Sequence, residues 1–292
     1  MDLEDINEEI QRFTHRPREL VNHILKELRL IKKTFVSEGN PSLAKKTWIY
    51  RMIFSAQMFY MDGYDKLEYA VQYDQWIDVS RNKGMNYLSD GAFNKAYRCL
   101  GANLERHKSC RNELYYSSWN NFVDSEKMLD YLSNHLDYWN DPTDSYQLNL
   151  ISHQIESLQL LYPFKLFSSM GSTISEKICS ICEKRITSPR TDCIHENYGI
   201  YDGEMCFKMP RYKDIHHLAI TRYPRDKALI FFPPEGRHYS FHNLRFLLTS
   251  HPSRFVIIDY DWIGRVRDFW EAAFVRQGDK LDVMGIIGLA LE

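Results

Sequence analysis

Five side chains able to bind a metal sit within 28 residues: Cys179, Cys182, Cys193, His195 and Cys206. The spacing reads C-x2-C-x10-C-x-H-x10-C, and it takes four of the chain's six cysteines. A stretch this rich in charged and small residues has little apolar surface to bury. Thiolates and an imidazole gathered on one tetrahedral ion can fold it instead. Five donors for four positions leave one spare. Cys179 and Cys182 form the knuckle and His195 joins them. Cys193 and Cys206 compete for the remaining place, or one of them supports the site from outside. No glutamate stands in an H-E-x-x-H arrangement to act as a base, so the expected ion is a structural Zn²⁺ with a closed ligand set.

This reading depends on compartment. The N-terminal "MDLEDINEEIQRF" is acidic and has no apolar core of the kind a signal peptide needs. A cytoplasmic location is expected, and in a reducing cytoplasm clustered Cys and His bind metal more often than they form disulfides. Cys99 and Cys110, far from the cluster, read as ordinary thiols. Mean hydropathy is −0.47 and no run of eighteen apolar residues occurs, so no membrane partner is expected. Net charge is −2, which excludes a global basic field toward nucleic acid. Lys184, Arg185, Arg190, Lys208, Arg211, Lys213, Arg222 and Arg225 flank the cluster, interleaved with Tyr198, Tyr201, Phe207 and Tyr212, and leave room for a local nucleic-acid contact.

The hydrophobic pattern predicts an α+β chain, mainly α. Residues 1–172 read as a helical domain, 173–222 as the zinc-binding module and 223–292 as a small α/β region. Leu20, Ile24, Leu28, Ile31 and Phe35 recur at helical steps after Pro17. Two further helices are expected in "SLAKKTWIYRMIFSAQMFY" and "YDKLEYAVQYDQWIDVS". Another follows Ser89 or Asp90 as N-cap, and one more follows Asp124 or Ser125. Leu148, Ile151, Ile155, Leu158 and Tyr162 form a stripe that predicts core packing. The 19 tyrosines predict a Tyr-rich helical core. "FSSMGSTIS" reads as a flexible connector. Beyond Pro224 the pattern becomes β-α-β-α, with "KALIFF" and "RFVIIDY" as strands, "HNLRFLLTS" as a short helix, and Ile263, Val266, Trp270 and Phe274 on one helical face.

The residues Cys179-Ser180-Ile181-Cys182, Cys193-x-His195, Tyr201, Gly203 and Cys206 resemble a small Cys/His module of phage and mobile-element proteins, including prohead-protease-type proteins. That motif runs C-S-I-C-G and then C-x-H-x-x-G-x-x-Y-x-G-x-x-C. The resemblance covers residues 177–225 and implies zinc binding in a phage-linked or antiphage setting. It does not extend to protease catalytic residues. Two departures are visible: Glu183 stands where the motif has glycine, and the glycine expected three residues after the histidine comes one later, as Gly199. Gly199 and Gly203 suit the tight turns of such a module.

Other constellations are weaker. Glu235, Asp259 and Asp261 resemble the acidic pattern of Toprim domains, but a separation of 24 positions between the first two leaves no room for the strand that fold requires; capping of the next helix explains the aspartates better. His238, His242, Asn243 and His251 resemble the grouping of ββα-metal nucleases in the wrong order. Arg18 and His23 have an arginine–histidine spacing seen in helical ribonucleases. His216 and His217 are adjacent, so a regular strand would point them to opposite faces. The expectation is therefore a non-enzymatic, zinc-stabilised interaction or scaffold subunit whose partner is another protein or a second copy of the chain. The alternative is a metal-dependent nuclease.

Overall fold

The periodicity of residues 41–89 runs unbroken in the computed structural model of the protein, which describes residues 33, 36, 39, 41–135, 146–187, 193–224, 226–230 and 241–250. Helix α1 spans Pro41–Ser89, 49 residues, where the sequence suggested two helices. Gly63, in the stretch between those two segments, serves packing. A Cβ there would lie 2.8 Å from the Phe122 ring, so the missing side chain lets a second helix approach. That helix, α3 (Ala102–Ser133), crosses close enough for Ser118 Oγ to donate to the Gly63 carbonyl at 2.5 Å.

Helix α2 (Phe93–Leu100) joins them. Gly91, at φ +73°, closes α1: its N–H donates to Leu88 O and the N–H of Ala92 donates to Tyr87 O. This pair of bonds satisfies the last carbonyls of α1. Ser89 and Asp90 therefore end a helix rather than begin one, correcting the N-cap expectation. Likewise Asp124 and Ser125 lie inside α3, and the Ser125 hydroxyl donates to the Ala56 carbonyl at 2.7 Å. Asp62 meets Asn121, and Asp74 meets Arg111 and Tyr115, each at 2.8 Å. Rising numbers in α1 pair with falling numbers in α3, so the two helices are antiparallel.

Helix α4 (Leu148–Leu161) lays its stripe into this pair: Leu148, Ile151, Ile155, Leu158 and Tyr162 are all buried. Helix α5 (His242–Ser250) adds Leu244 and Leu248, and Phe241 stacks on Tyr115 at 3.9 Å. Tyr60, Tyr73, Tyr115 and Tyr162 are core residues, as the Tyr-rich reading expected. Arg18, His23, the apolar positions Leu20, Ile24, Leu28, Ile31 and Phe35 of the first expected helix, and everything from Arg254 to Phe274 lie outside the described residues.

The connector expected at Ser168–Ser175 is not a connector. It lies in β1 (Phe167–Cys179), a 13-residue strand paired antiparallel with the 14-residue β5 (Lys208–Thr221). The short β2 (Arg185–Ile186) borders the far end of β1, and β3 (Ile200–Tyr201) and β4 (Glu204–Met205) form a separate hairpin. Small polar residues suit a ribbon exposed along most of its length, and the partner strand supplies the ladder. Both ends of the ribbon rest on α3. Phe167 packs on Trp119, and Phe207, just before β5, packs on Tyr131. Those helix positions are ~18 Å apart at helical rise, while β1 is ~40 Å of extended chain. The ribbon must bow, and three register shifts, at Gly171/Ser172, Thr173/Ile174 and Ile174/Glu176, supply the bend.

Candidate metal centre

The metal module fills the turn between the two long strands. Cys179 is the last residue of β1, so the ribbon itself fixes the first donor. The Cys179 carbonyl then accepts the Glu183 N–H at 2.9 Å, and the Cys179 N–H donates to Lys184 O at 3.1 Å. These bonds close the first knuckle and present the Cys182 thiol beside that of Cys179. Across the site, β3 and β4 meet through Asp202 and Gly203, both at positive φ (51° and 71°). This is the backbone a two-residue Asp-Gly hairpin requires. Two bonds lock the halves together: Ser180 N–H donates to Phe207 O at 3.0 Å, and Phe207 N–H donates to Ser180 Oγ at 2.8 Å.

Four donors converge. Ligand atoms of Cys179, Cys182, Cys193 and His195 all lie within 4.8 Å of one another, the one such grouping of His, Cys, Asp or Glu among the described residues. Cys179 Sγ is 3.6 Å from His195 Nδ1, Cys182 Sγ is 3.7 Å from Cys193 Sγ, and Cys193 Sγ is 3.9 Å from His195 Nδ1. A tetrahedron with metal–sulfur arms of about 2.3 Å has edges near ~3.8 Å, so the set could hold a metal ion. All six cysteines are free thiols. Of the two cysteines left competing by the sequence, Cys193 belongs to the group. Cys206 stands outside it, although its Sγ is 3.6 Å from that of Cys179.

Electrostatics separates the two further. Burial pushes the Cys179 thiol up, but the N–H groups of Cys182 and Ile181 and the thiols of Cys206 and Cys193 reverse this and hold it down to about 6. The Lys208 ammonium, 3.1 Å from Cys193 Sγ, holds that thiol below its ordinary value. Cys206, fully buried, is pushed up to about 11 by burial and by Cys179. The Cys206 and Cys179 thiols share a hydrogen bond in which either sulfur can donate, and the opposite shifts of the two groups favour Cys206 as the donor.

Tyr201, which the sequence offered as a base-stacking aromatic, instead packs against a candidate ligand. Its ring meets the His195 imidazole edge-on at 4.5 Å, and its hydroxyl accepts the Glu196 N–H at 2.7 Å. A Cβ on Gly199 would strike the same ring at 2.8 to 3.1 Å, so Gly199 is glycine for space. The backbone needs left-handed residues elsewhere, at Glu183 (φ 57°) and Tyr198 (φ 66°). At both of these positions the resembled motif carries glycine and this chain does not.

The other candidates do not converge with this centre. His216 and His217 are exposed on β5; His216 Nε2 meets Thr173 Oγ1 at 2.5 Å, and the His217 ring covers Gly171. His242 and Asn243 open α5. Glu235, His238, His251, Asp259 and Asp261 lie outside the described residues, as do Arg190 and Arg225. Of the flanking basic residues, Arg185 and Arg211 both pair with Glu176, at 3.8 and 3.6 Å. No helix among the described residues is long and apolar enough to cross a membrane. Comparison of the chain with known protein families, with curated proteins and with solved structures finds no match.

Proposed function

We propose that the protein is a zinc-stabilised interaction or scaffold subunit, serving a phage-linked or antiphage defence complex in the cytoplasm. The closed donor set carries this reading. Three thiols and one imidazole at tetrahedral edge distances fill the coordination shell, whereas catalytic zinc keeps a position open for water. Sulfur-rich donors suit Zn²⁺ over the hard cations that take oxygen. Cys179, Cys182, Cys193 and His195 would hold the ion, and Cys206 would steady the Cys179 thiolate. The ion's chemistry there is to clamp, with no step of a reaction assigned to it. The left-handed backbone at Glu183 and Tyr198 supports the resemblance to the phage-linked module, because glycine is the residue such a position favours.

The test is elemental analysis of the purified full chain, followed by purification from its native host. One zinc per chain, a stoichiometric partner protein and no cleavage of DNA or RNA are expected. Cleavage that chelation abolishes and Mg²⁺ or Mn²⁺ restores, and that disappears with Asp259→Asn and Asp261→Asn, would replace this reading with the nuclease.

A further inference from the structure

The ribbon sorts its side chains by face. Phe167 points inward against Trp119, so the residues alternating with it on β1, Ser168, Met170, Ser172 and Ile174, point outward. Their direct partners on β5 are Ile220, Leu218, Ile215 and Tyr212, and directly paired residues share a face. One outward face therefore carries Met170, Ile174, Tyr212, Ile215, Leu218 and Ile220, with exposures from 39% at Met170 to 75% at Leu218. In the sequence Tyr212, Ile215 and Leu218 recur every three residues, a spacing a regular strand would scatter over both faces. The register shifts leave Lys213 and His216 as extra residues and bring the three onto one side. The same bulges blunt the β5 edge against pairing with another strand.

The ribbon that carries the array is also basic. Residues 167–186 and 208–223, both faces and the first knuckle together, hold seven Lys and Arg against three Asp and Glu, a net +4 within a chain whose total is −2. Two copies brought together here would set two net-positive ribbons against each other. Nucleic acid would meet aliphatic side chains where it needs hydrogen-bond donors. Large aliphatic residues bordered by Lys and Arg match a layer with anionic headgroups over hydrocarbon.

We propose that the outward face of the β1–β5 ribbon docks on an anionic lipid surface. This goes beyond the zinc-stabilised subunit reading, and it concerns a surface contact, not a span. The full-length protein, its zinc content measured first, is sedimented with phosphatidylcholine vesicles and with vesicles containing about 30% phosphatidylglycerol. Binding to the anionic vesicles alone is expected, weakening several-fold between about 0.1 and 0.5 M salt. Ile215→Ser with Leu218→Ser should cut partitioning about tenfold or more. Lys213→Ala with Arg222→Ala should cut it roughly 25-fold, about fivefold per charge. All four side chains are exposed, and helical circular dichroism confirms folding of each variant. Folded protein that ignores anionic vesicles, or variants that bind as well as the parent, would overturn the proposal. So would a dimer that the Ile215/Leu218 variant splits, or a bound protein that it releases. Vesicle binding by protein that carries no zinc would uphold this inference and sink the metal reading alone.

Discussion

The helical body and the metal module are stabilised by opposite means. In the body, α1, α3, α4 and α5 share one continuous core that includes Trp119, Phe122, Tyr115 and Tyr162. Burying each such side chain contributes about 1.5–3 kcal/mol, so the helices hold one another without help. The module buries little: Met205 and the two buried cysteines, with Phe207 and Tyr198 leaning on Tyr131 of α3. Its backbone turns three times through left-handed non-glycine residues, Glu183, Tyr198 and Asp202, and each such residue costs of order 1–2 kcal/mol. Where a body has area, a module of this size needs bonds, and the converging thiols are the means of making them.

The sharpest way to break this contrast is Cys179→Ser with Cys182→Ser. Structural zinc sites carry about 10–16 kcal/mol of binding free energy, so residues 180–207 should lose all hydrogen-exchange protection and all bound metal while the helical circular dichroism stays. Helices that melted with the module would show a single cooperative unit instead. The converse change, Phe122→Ala, should cost about 3–5 kcal/mol of global stability in a denaturant titration and leave metal stoichiometry intact.

Within the module, the ligand set can be sharpened. Cys193→Ser should abolish stoichiometric metal, while Cys206→Ser should keep one ion per chain and weaken it about 10–100-fold in a chelator competition. The reverse ranking would place Cys206 in the coordination shell. Acid probes the same group. The Cys179 thiol is held down to about 6 from its ordinary 9.0, so this group binds fewer protons in the folded module than in the unfolded chain between those limits. Its contribution to stability is full above the higher value and is lost as pH falls through the lower one; Cys206, pushed up to about 11, contributes in the opposite sense at alkaline pH. Metal retention at fixed chelator should therefore fall steeply below about pH 6. The smallest effect is expected at Glu183→Gly, which relieves the left-handed backbone and should raise module stability by up to about 1 kcal/mol. A loss there would mean the Glu183 side chain makes a contribution the backbone does not explain.

What could be read in advance was what depends on neighbours along the chain. The stripe of α4 and the whole of α5 follow from apolar spacing, and both are buried as that spacing requires. A tight turn at Gly203 was legible too, and it is the Asp202-Gly203 hairpin of β3 and β4. The join of the two expected helices into α1 was not legible, because the place of Gly63 against Phe122 depends on a second helix. "FSSMGSTIS" misled because a strand of small polar residues has no pattern until its partner is known.

The sequence by itself determined that four or five soft donors would meet, since chain connectivity keeps them within 28 residues of one another. Only the tertiary structure decided which four: Cys193 is drawn in beside Lys208, while Cys206 is turned into the interior behind Cys179. It also decided that Tyr212, Ile215 and Leu218 share a face, because register belongs to a pair of strands and neither strand carries it alone.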